Sequence, residues 1–412
     1  MRIGLVSIAT SISPPPAEGN HGDLPARDRR VSLLSLAGRT LVERQISVAG
    51  RLGCESIVCI TQGLPDGHIV AQDAAEAIGA RFHLIESARE LAGLIRAADE
   101  VFAFAEGVLV PAGVVEDAFD ARGGVLTMAA DVGVPNGFER IDADRAWAGV
   151  LRCPGSNLER VAQLAPDIDI VATLLRIALQ GGARTVPVEP ELIETGALTR
   201  FETTEHVAAA QRRWLDARLG SAPWTAPGQA IADRIARLAA DRFYAAGWSV
   251  QPPIVGGAVS VALAALAAVP FGPAAGFGAL ALAMLLLAII TRIAQARETD
   301  IVAATGSSPG AGRGAVRWLP LYCDLAIVSV PLLAFLPEVP VDLLFALGVL
   351  VASTRIAGRS LTGGAAALAV DRVLLCLALA AAAGFGHLVA TAQALAALVL
   401  LATLLAGRAA HR

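Results

Sequence analysis

The sequence predicts an α/β domain followed by an all-α membrane domain of six helices. Over roughly the first 200 residues, short apolar segments typical of strands alternate with segments typical of helices. From about residue 250 the chain consists almost wholly of Ala, Leu, Val, Ile and Gly. Arg residues are concentrated in alternate connections between the apolar stretches, as in multi-pass membrane proteins.

The N-terminal region is predicted to contain strands interleaved with helices. Strands are predicted at 2–8, 56–61, 82–85 and 101–104, and helices at 40–52, 71–79 and 88–97. A strand pair at 137–142 and 146–152, and helices at 156–163 and 169–180, follow. The alternating order predicts right-handed β-α-β units and a mostly parallel sheet.

The composition divides the chain into a cytoplasmic domain at 1–218, a linker at 219–228 and a membrane domain at 252–408. Between the last two, residues 229–247 form a predicted amphipathic helix. One face of this helix carries Ile231, Ile235, Leu238 and Phe243. We expect the helix to lie in the membrane interface. The alternative is a surface helix packed on the soluble domain.

Six apolar stretches are long enough to cross a hydrocarbon core. They lie at 253–270, 274–291, 319–336, 340–354, 372–389 and 391–407. Six spans place both chain ends on one side. Because the Arg residues follow the second, fourth and sixth spans, whereas the other turns contain none, both ends are predicted to be cytoplasmic. The predicted location is the inner, cytoplasmic membrane of a bacterium.

Composition also limits the chemistry. The chain contains no Lys, so a mechanism that needs a Lys base, a Schiff base or a phosphate-binding Lys is excluded. The five cysteines show no C-x-x-C spacing, which argues against a zinc site and a disulfide framework. A net charge of −4 gives no indication of a nucleic-acid partner.

Three segments of the soluble half carry a family resemblance. They are 36–45 (LAGRTLVERQ), 53–61 (GCESIVCIT) and 99–111 (DEVFAFAEGVLVP). They resemble the helix entry, the following strand and the metal-binding strand end of sugar-nucleotidyltransferase (cytidylyltransferase) domains, although each would also fit a generic Rossmann-like sheet. The resemblance implies that Arg39 contacts a nucleotide phosphate and that Glu106 holds Mg²⁺ or Mn²⁺. The alternative for Glu106 is a solvated carboxylate at a strand end.

The loop after the first predicted strand departs from this family. The family has a Gly-rich loop whose backbone amides contact the nucleotide phosphates, whereas this chain has ATSISPPP at 9–16. Three prolines remove three amide donors and stiffen the loop. Arg27, Arg29 and Arg30 are candidates for other cationic contacts.

The membrane half resembles the CDP-alcohol phosphotransferases, and the fusion resembles bifunctional inositol-phosphate cytidylyltransferases joined to such a domain. The family motif D-x-x-D-G-x-x-A-R-x8-G-x3-D-x3-D aligns best with 289–297, where Ala296-Arg297 is retained. Ile289, Arg292 and Ile293 replace the two aspartates and the glycine. The resemblance implies dimers and a metal pair. At strict spacing, however, Gly310 and Gly314 stand where the last two aspartates belong. Alternatively, Asp324 takes the place of one aspartate if the intervening loop is longer than in the family motif.

Asp324 lies within an apolar stretch, where an ionisable residue usually faces a partner or a cavity. We expect a membrane charge cluster of Arg292, Arg297 and Asp324, with Arg317 as another possible partner. Asp371-Arg372 form a second cluster. The alternative in both cases is a helix-end charge that reaches the interface. The Gly-rich loop at 306–314 is predicted to be a flexible linker rather than a phosphate site.

Two functions follow from the resemblance. One is an active membrane transferase that joins a CDP-activated alcohol to a phosphoalcohol or lipid acceptor. The other is a catalytically impaired descendant that serves as a partner or scaffold in polar-lipid or envelope synthesis, which the missing motif residues favour. The expected partners are membrane lipid, a nucleotide or CDP-alcohol, and a second copy of the chain. Transport is a weaker third hypothesis, because the spans lack paired Gly/Pro interruptions.

Overall fold

The computed structural model describes residues 1–12, 30–63, 67–119, 123–165, 168–219, 222–245, 251–305 and 312–410. The chain divides into two compact units. The first consists of Met1–Arg213 with Asp300–Ser307, and the second of Trp214–Thr299 with Ser308–Arg412.

The first unit is built on a seven-stranded sheet with two short ribbons. Its strands are β1 (Arg2–Ile8), β2 (Ser35–Leu36), β3 (Arg39–Thr40), β4 (Ser56–Thr61), β5 (Arg81–Ile85), β6 (Glu100–Phe104), β7 (Val108–Leu109), β8 (Gly124–Ala129), β9 (Arg145–Pro154), β10 (Thr185–Pro187) and β11 (Thr199–Arg200). The main sheet has the order β10-β8-β9-β6-β1-β4-β5. Strand β9 is antiparallel to both its neighbours, and the other pairs are parallel. The predicted α/β, Rossmann-like architecture is confirmed.

Helices cover both faces of this sheet. They are α1 (Leu41–Arg51), α2 (His68–Ala77), α3 (Ala112–Ala118), α4 (Ala130–Gly133), α5 (Gly155–Ala162), α6 (Ile170–Gln180), α7 (Glu191–Glu194) and α8 (Thr204–Leu219). Two apolar clusters form the core. Val6 and Ile8 of β1 belong to one cluster, and Ile3 and Leu5 belong to the other. Because a central parallel strand is buried on both faces, β1 is almost continuously apolar.

Helix α1 begins where the sequence provides a capping box. The Thr40 hydroxyl accepts a hydrogen bond from the Glu43 amide, and the Glu43 carboxylate accepts one from the Thr40 amide. These bonds satisfy amides that have no partner within the helix. The helix predicted at 40–52 is therefore observed within one residue at each end.

Two predicted elements differ in the structure. The helix predicted at 88–97 is only a 3-10 turn, Ala88–Leu91, because Gly93 adopts a left-handed conformation with φ 89°. The strand predicted at 146–152 is β9, but its partners are β6 and β8 rather than the predicted 137–142 segment. That segment begins at Gly137, with φ 82°, and contributes a single bridge from Arg140 to Ala146.

In the described residues of the second unit, all regular secondary structure is helical. Its helices are α9 (Pro227–Ala245), α10 (Gln251–Leu266), α11 (Ala268–Thr305), α12 (Gly312–Ala334), α13 (Val341–Ser360), α14 (Gly363–Val370), α15 (Arg372–Gly384) and α16 (Leu388–Ala410). Helix α11 is kinked where Gly272, with φ 82°, precedes Pro273. Helices α10, α11, α12, α13, α15 and α16 share one apolar core.

The apolar helices are consistent with the predicted membrane domain. Among the described residues, three helical segments are long and apolar enough to cross a membrane: Ala268–Gln295, Val341–Ser360 and Leu388–Ala406. Helices α14 and α15, bent by 58°, form a fourth candidate if they act as one span. The remaining apolar helices, Ile254–Leu266 and Trp318–Ala334, are shorter. The count of six spans and their orientation stay predictions.

Helix α9 covers most of the predicted amphipathic segment. Its apolar face points outward, because Ile231 and Ile235 are partly exposed and Leu238 is 80% exposed. The face that packs inward consists mainly of small residues, including Ala230, Ala236 and Ala240. An outward apolar stripe on a helix is the arrangement expected of an interfacial helix.

Candidate functional site

The first unit has a cavity at the carboxyl ends of its central strands. The cavity has a volume of about 1050 Å³ and is lined by residues that follow β1, β4 and β6. Strand order reverses between β1 and β6, because the chain leaves β1 toward β4 and β5 and then returns to β6 on its other side. Ligands of open α/β sheets bind in the crevice at such a point. The cavity therefore lies where a ligand site is expected.

Glu106 lies in the wall of this cavity and is held by five donors. Its carboxylate accepts hydrogen bonds from the hydroxyls of Ser7 (3.0 Å), Thr10 (2.9 Å) and Ser32 (3.1 Å). It also accepts backbone N–H bonds from Ala9 (3.3 Å) and Thr10 (3.1 Å to both oxygens). The carboxylate thus joins the end of β6 to the loop after β1.

The backbone at Glu106 is shaped by the next residue. Gly107 has φ 75°, a conformation that side chains rarely adopt. A Cβ at this position would lie 2.4 Å from the carbonyl oxygen of Phe201. Glycine is therefore required for the turn that directs Glu106 toward β1.

This donor set does not fit a metal ligand. Two carboxylate oxygens offer about four lone-pair sites, and these donors already use them, even though the single Ser32 proton is shared with the carbonyl oxygen of Ser7 at 2.5 Å. A divalent cation needs oxygen ligands with free lone pairs, usually from several carboxylates. Within the described part of the chain, no group of three or more His, Cys, Asp and Glu side chains is placed to hold a metal.

The Arg residues that were predicted to contact phosphate bind other groups of the protein where the structure describes them. Arg39 donates to the Ser47 hydroxyl at 2.6 Å, and it does not belong to the cavity lining. Arg30 donates to the carbonyl oxygens of Ala9 and Gln62, and so supports the loop after β1. Arg27, Arg29 and the three prolines lie outside the described residues, as does most of the 306–314 loop.

Sequence reasoning missed several residues of the cavity wall. The lining includes four further carboxylates, from Glu86, Glu139, Asp169 and Glu202, and the guanidinium of Arg200. It also includes the hydroxyls of Ser7 and Thr10, whose position at the end of a predicted strand was the available signal. Since carboxylates outnumber guanidinium groups in the lining, the wall is acidic overall.

The cysteine nearest the site is not an activated nucleophile. Burial, together with the smaller effect of the nearby Glu106 charge, raises the pKa of the Cys59 thiol to about 12. A reactive cysteine needs a lowered pKa and access to solvent. Cys59 is fully buried, so it is a packing residue.

The second unit contains a buried ion-pair group around Asp324 of α12. Its carboxylate accepts from Arg355 Nε of α13 at 2.5 Å and from Arg372 Nε of α15 at 2.7 Å. Asp324 is only 4% exposed. Two guanidinium groups thus bind one carboxylate. Asp324, like Glu106, is therefore poorly suited to serve as a metal ligand.

The predicted pairing of Asp324 with Arg292 was wrong. Arg292 forms its ion pair with Asp233 of α9, at 3.1 Å, because this carboxylate faces α11 and is 2% exposed. The side chains of Arg297 and Arg317 lie outside the described part of the structure. The prediction was a single cluster of Arg292, Arg297 and Asp324. The two members whose side chains are described, Arg292 and Asp324, instead belong to two separate ion-pair groups.

Asp371 does not act as a free helix-end charge. One of its oxygens accepts from the amides of Val373 and Leu374, at 3.1 Å each, and so caps α15. The other accepts from the Gly228 amide of α9 at 2.7 Å. A single buried carboxylate therefore caps the starts of two helices.

Comparison with known proteins gives matches in structure alone. No protein-family model matches the sequence, and no curated protein matches it. The inositol-1-phosphate CTP transferase from T. maritima aligns with a TM-score of 0.35 and 11% identity, over 46% of this chain and 86% of that chain. The 4-diphosphocytidyl-2C-methyl-D-erythritol synthase from Anaerococcus prevotii aligns with a TM-score of 0.34 and 10% identity, over 51% and 94%. These alignments cover about half of this chain, so function is argued below from its own residues.

Proposed function

We propose that this protein is a membrane-anchored relative of the fused nucleotidyltransferases and CDP-alcohol phosphotransferases that has lost both metal sites. It acts as a non-catalytic partner or scaffold in polar-lipid or envelope synthesis. One observation carries this proposal: both candidate metal ligands are already saturated by the protein. Glu106 is held by five donors, and Asp324 by two guanidinium groups.

The charge around Asp324 opposes a cation. One carboxylate and two Arg side chains leave a net charge of +1 within hydrogen-bonding distance. At about 4 Å two unit charges interact by roughly 4 kcal/mol in a medium with an effective dielectric constant of about 20. A dication beside Asp324 would therefore be repelled more strongly by the Arg pair than it is attracted by the carboxylate.

The membrane placement of this proposal is supported by the apolar helices and by α9. In the part of the chain that the structure describes, three to four helices have the length and composition of spans, and α9 exposes an apolar stripe that fits a lipid surface. We propose that both chain ends face the cytoplasm and that the partners are membrane lipid and a second copy of the chain. Cleavage of a C-terminal tag by external protease in intact cells would contradict the orientation.

The test of lost catalysis uses the full-length protein in detergent. Thermal unfolding is measured with Mg²⁺ or Mn²⁺ and with CTP, other NTPs or CDP-alcohols. In parallel, pyrophosphate release from each NTP is assayed in the presence of an inositol phosphate, which serves as acceptor of the nucleotidyl group. A ligand at 100 times its dissociation constant would add about 2.7 kcal/mol of stability. We expect neither a metal-dependent shift nor pyrophosphate release. Pyrophosphate release that disappears in Glu106→Ala but persists in Glu76→Ala, an exposed carboxylate of α2 outside the cavity lining, would refute the proposal.

One observation favours the alternative of an active membrane transferase. The cavity of about 1050 Å³ is large enough for a nucleotide and lies at the expected end of the sheet. In this alternative the acidic wall would hold the cation that accompanies a nucleotide. Metal-dependent stabilisation by CTP in the same experiment would support this function instead.

A further inference from the structure

The exposed face of α9 carries two arginines among its apolar side chains. This face, the α9 stripe, consists of Ile231, Arg234, Ile235, Leu238 and Arg242. We propose that the α9 stripe, together with Trp224, binds the phosphate groups of anionic phospholipids. The inference rests on the proposed membrane placement of α9 and adds that the helix prefers anionic to neutral lipid.

The residues of the stripe share one side of the helix. Their spacing of one, three or four positions places them within an arc of about 100° on an α-helix. Leu238 is 80% exposed, and Ile231 and Ile235 are 38% and 39% exposed. Such an apolar face enters the boundary between headgroups and acyl chains by about 5–10 Å. Because an Arg side chain is long, the two guanidinium groups on this side reach the level of the headgroup phosphates.

Arg234 is held against an exposed aromatic ring. Its guanidinium carbon lies 4.1 Å from the centre of the Trp224 ring, and its Nη1 donates to the carbonyl oxygen of Ala230 at 3.0 Å. Trp224 is 63% exposed, and tryptophan is enriched at the headgroup level of membranes. The remaining N–H donors of a stacked guanidinium lie in one plane, in the geometry that matches phosphate oxygens. Trp224 and Arg234 therefore form a preorganised contact for a headgroup phosphate.

The charge of the stripe is complementary to an anionic surface. The stripe carries two Arg and no carboxylate. Asp233 lies on the opposite side of α9, where it is 2% exposed and pairs with Arg292. The side chain of Asp241, the other acidic residue of the helix, lies outside the described residues. An anionic membrane surface strengthens the binding of each nearby Arg about fivefold, so the stripe should distinguish anionic from neutral lipid.

The other face of α9 keeps the stripe directed outward. Ala230, Ala236 and Ala240 are fully buried. At the start of the helix, the Gly228 amide donates to Asp371 at 2.7 Å. The stripe is therefore presented in a fixed orientation, and the lipid composition decides which headgroups gather at it.

The experiment measures which lipid lies beside α9 in proteoliposomes of the full-length protein. A fluorophore is attached to Leu238→Cys, and it reacts there selectively because all five native cysteines are buried. Quenching by nitroxide-labelled phosphatidylglycerol is compared with quenching by phosphatidylcholine labelled at the same acyl position, in bilayers that are otherwise identical. We expect phosphatidylglycerol to be favoured at least about fivefold at low ionic strength, and added salt to reduce this preference.

A control position and two variants separate charge from general lipid contact. Phe345→Cys, at a 74% exposed site three residues after Asp342 of α13, should show no preference for phosphatidylglycerol. In Leu238→Cys, the added pair Arg234→Gln and Arg242→Gln should remove the preference. The pair Arg234→Lys and Arg242→Lys keeps both charges and should retain most of it.

The possible results separate this inference from the proposed function. Equal quenching of Leu238→Cys by the two lipids would overturn the inference and leave the membrane placement of α9 intact. A preference that persists in the Gln pair would also overturn it, because the Arg residues would not be its cause. Quenching by neither lipid would reject both the inference and the membrane placement of α9, as expected for a stripe that faces water or an acidic protein. None of these results depends on metal or nucleotide binding, which tests the loss of catalysis.

Discussion

Replacement of Asp324 by Asn tests the ion-pair group of the second unit directly. The wild-type carboxylate, 4% exposed, binds Arg355 and Arg372, whose side chains are 40% and 22% exposed. Breaking a buried pair costs about 3–5 kcal/mol because the remaining charge is left without a partner. Both Arg side chains remain partly exposed to solvent, which lowers the cost of losing their partner. We expect Asp324→Asn to reduce the free energy of unfolding by about 2–3 kcal/mol.

The larger part of this loss should come from Arg372. Its guanidinium is the less exposed of the two and contacts Asp324 through two nitrogens, at 2.7 and 3.3 Å. The Arg355 contact is more exposed and should contribute about 0.2–1 kcal/mol. In addition, the neutral amide leaves two like charges facing one another.

The assay is unfolding of the full-length protein in mixed detergent micelles, followed by tryptophan fluorescence. The matched control is Asp342→Asn, an exposed carboxylate in the first turn of α13, which should change stability by less than about 0.5 kcal/mol. The double variant with Arg372→Gln should lose less than the sum of the single losses. A change below 0.5 kcal/mol for Asp324→Asn would refute this account of the group.

Three further predictions concern stability. Gly228→Ala should destabilise the protein by about 1–3 kcal/mol, because its Cβ would lie 2.4 Å from an Asp371 oxygen, whereas Gly256→Ala, with open space at that position, should be neutral or stabilising in the same unfolding assay. Thr40→Ala should cost about 1 kcal/mol through loss of the α1 cap, and an equal stability by denaturant titration would contradict the capping argument. Burial raises the pKa of three thiols from 9.0 to about 12, so their stabilising contribution is complete below pH 9 and is lost between pH 9 and 12. The expected slope is about 1.4 kcal/mol per pH unit per thiol, and flat unfolding curves over that range would exclude it. These thiols belong to Cys54, Cys59 and Cys153.

Much of the local structure could be predicted because its signals are local. The apolar strands at 2–8 and 56–61, the capped helix α1 and the apolar helices after residue 250 are all specified by neighbouring residues. A period of two or 3.6 residues and a capping box act within a few positions of the chain. These features were found from the sequence with bounds close to the observed ones.

The sequence also located Glu106 and Asp324, because a carboxylate at a strand end or within an apolar stretch is conspicuous. It did not identify their partners. Glu106 meets residues 74 to 99 positions away, and Asp324 meets Arg355 and Arg372, 31 and 48 positions away. The sequence shows which side chains are charged. The groups that lie within about 3 Å of such a side chain depend on how elements distant in the chain pack together.

The same reason explains the missed strand pairing. Strand β9 was predicted from its own residues, but its partners β6 and β8 were not, because hydrogen bonds between strands join backbone groups that every residue carries. The sequence by itself therefore determined most helices and strands and located the candidate carboxylates, and it predicted the division into a soluble and a membrane part. Only the tertiary structure decided that these carboxylates are bound by the protein's own donors, since that depends on distances between residues far apart in the chain.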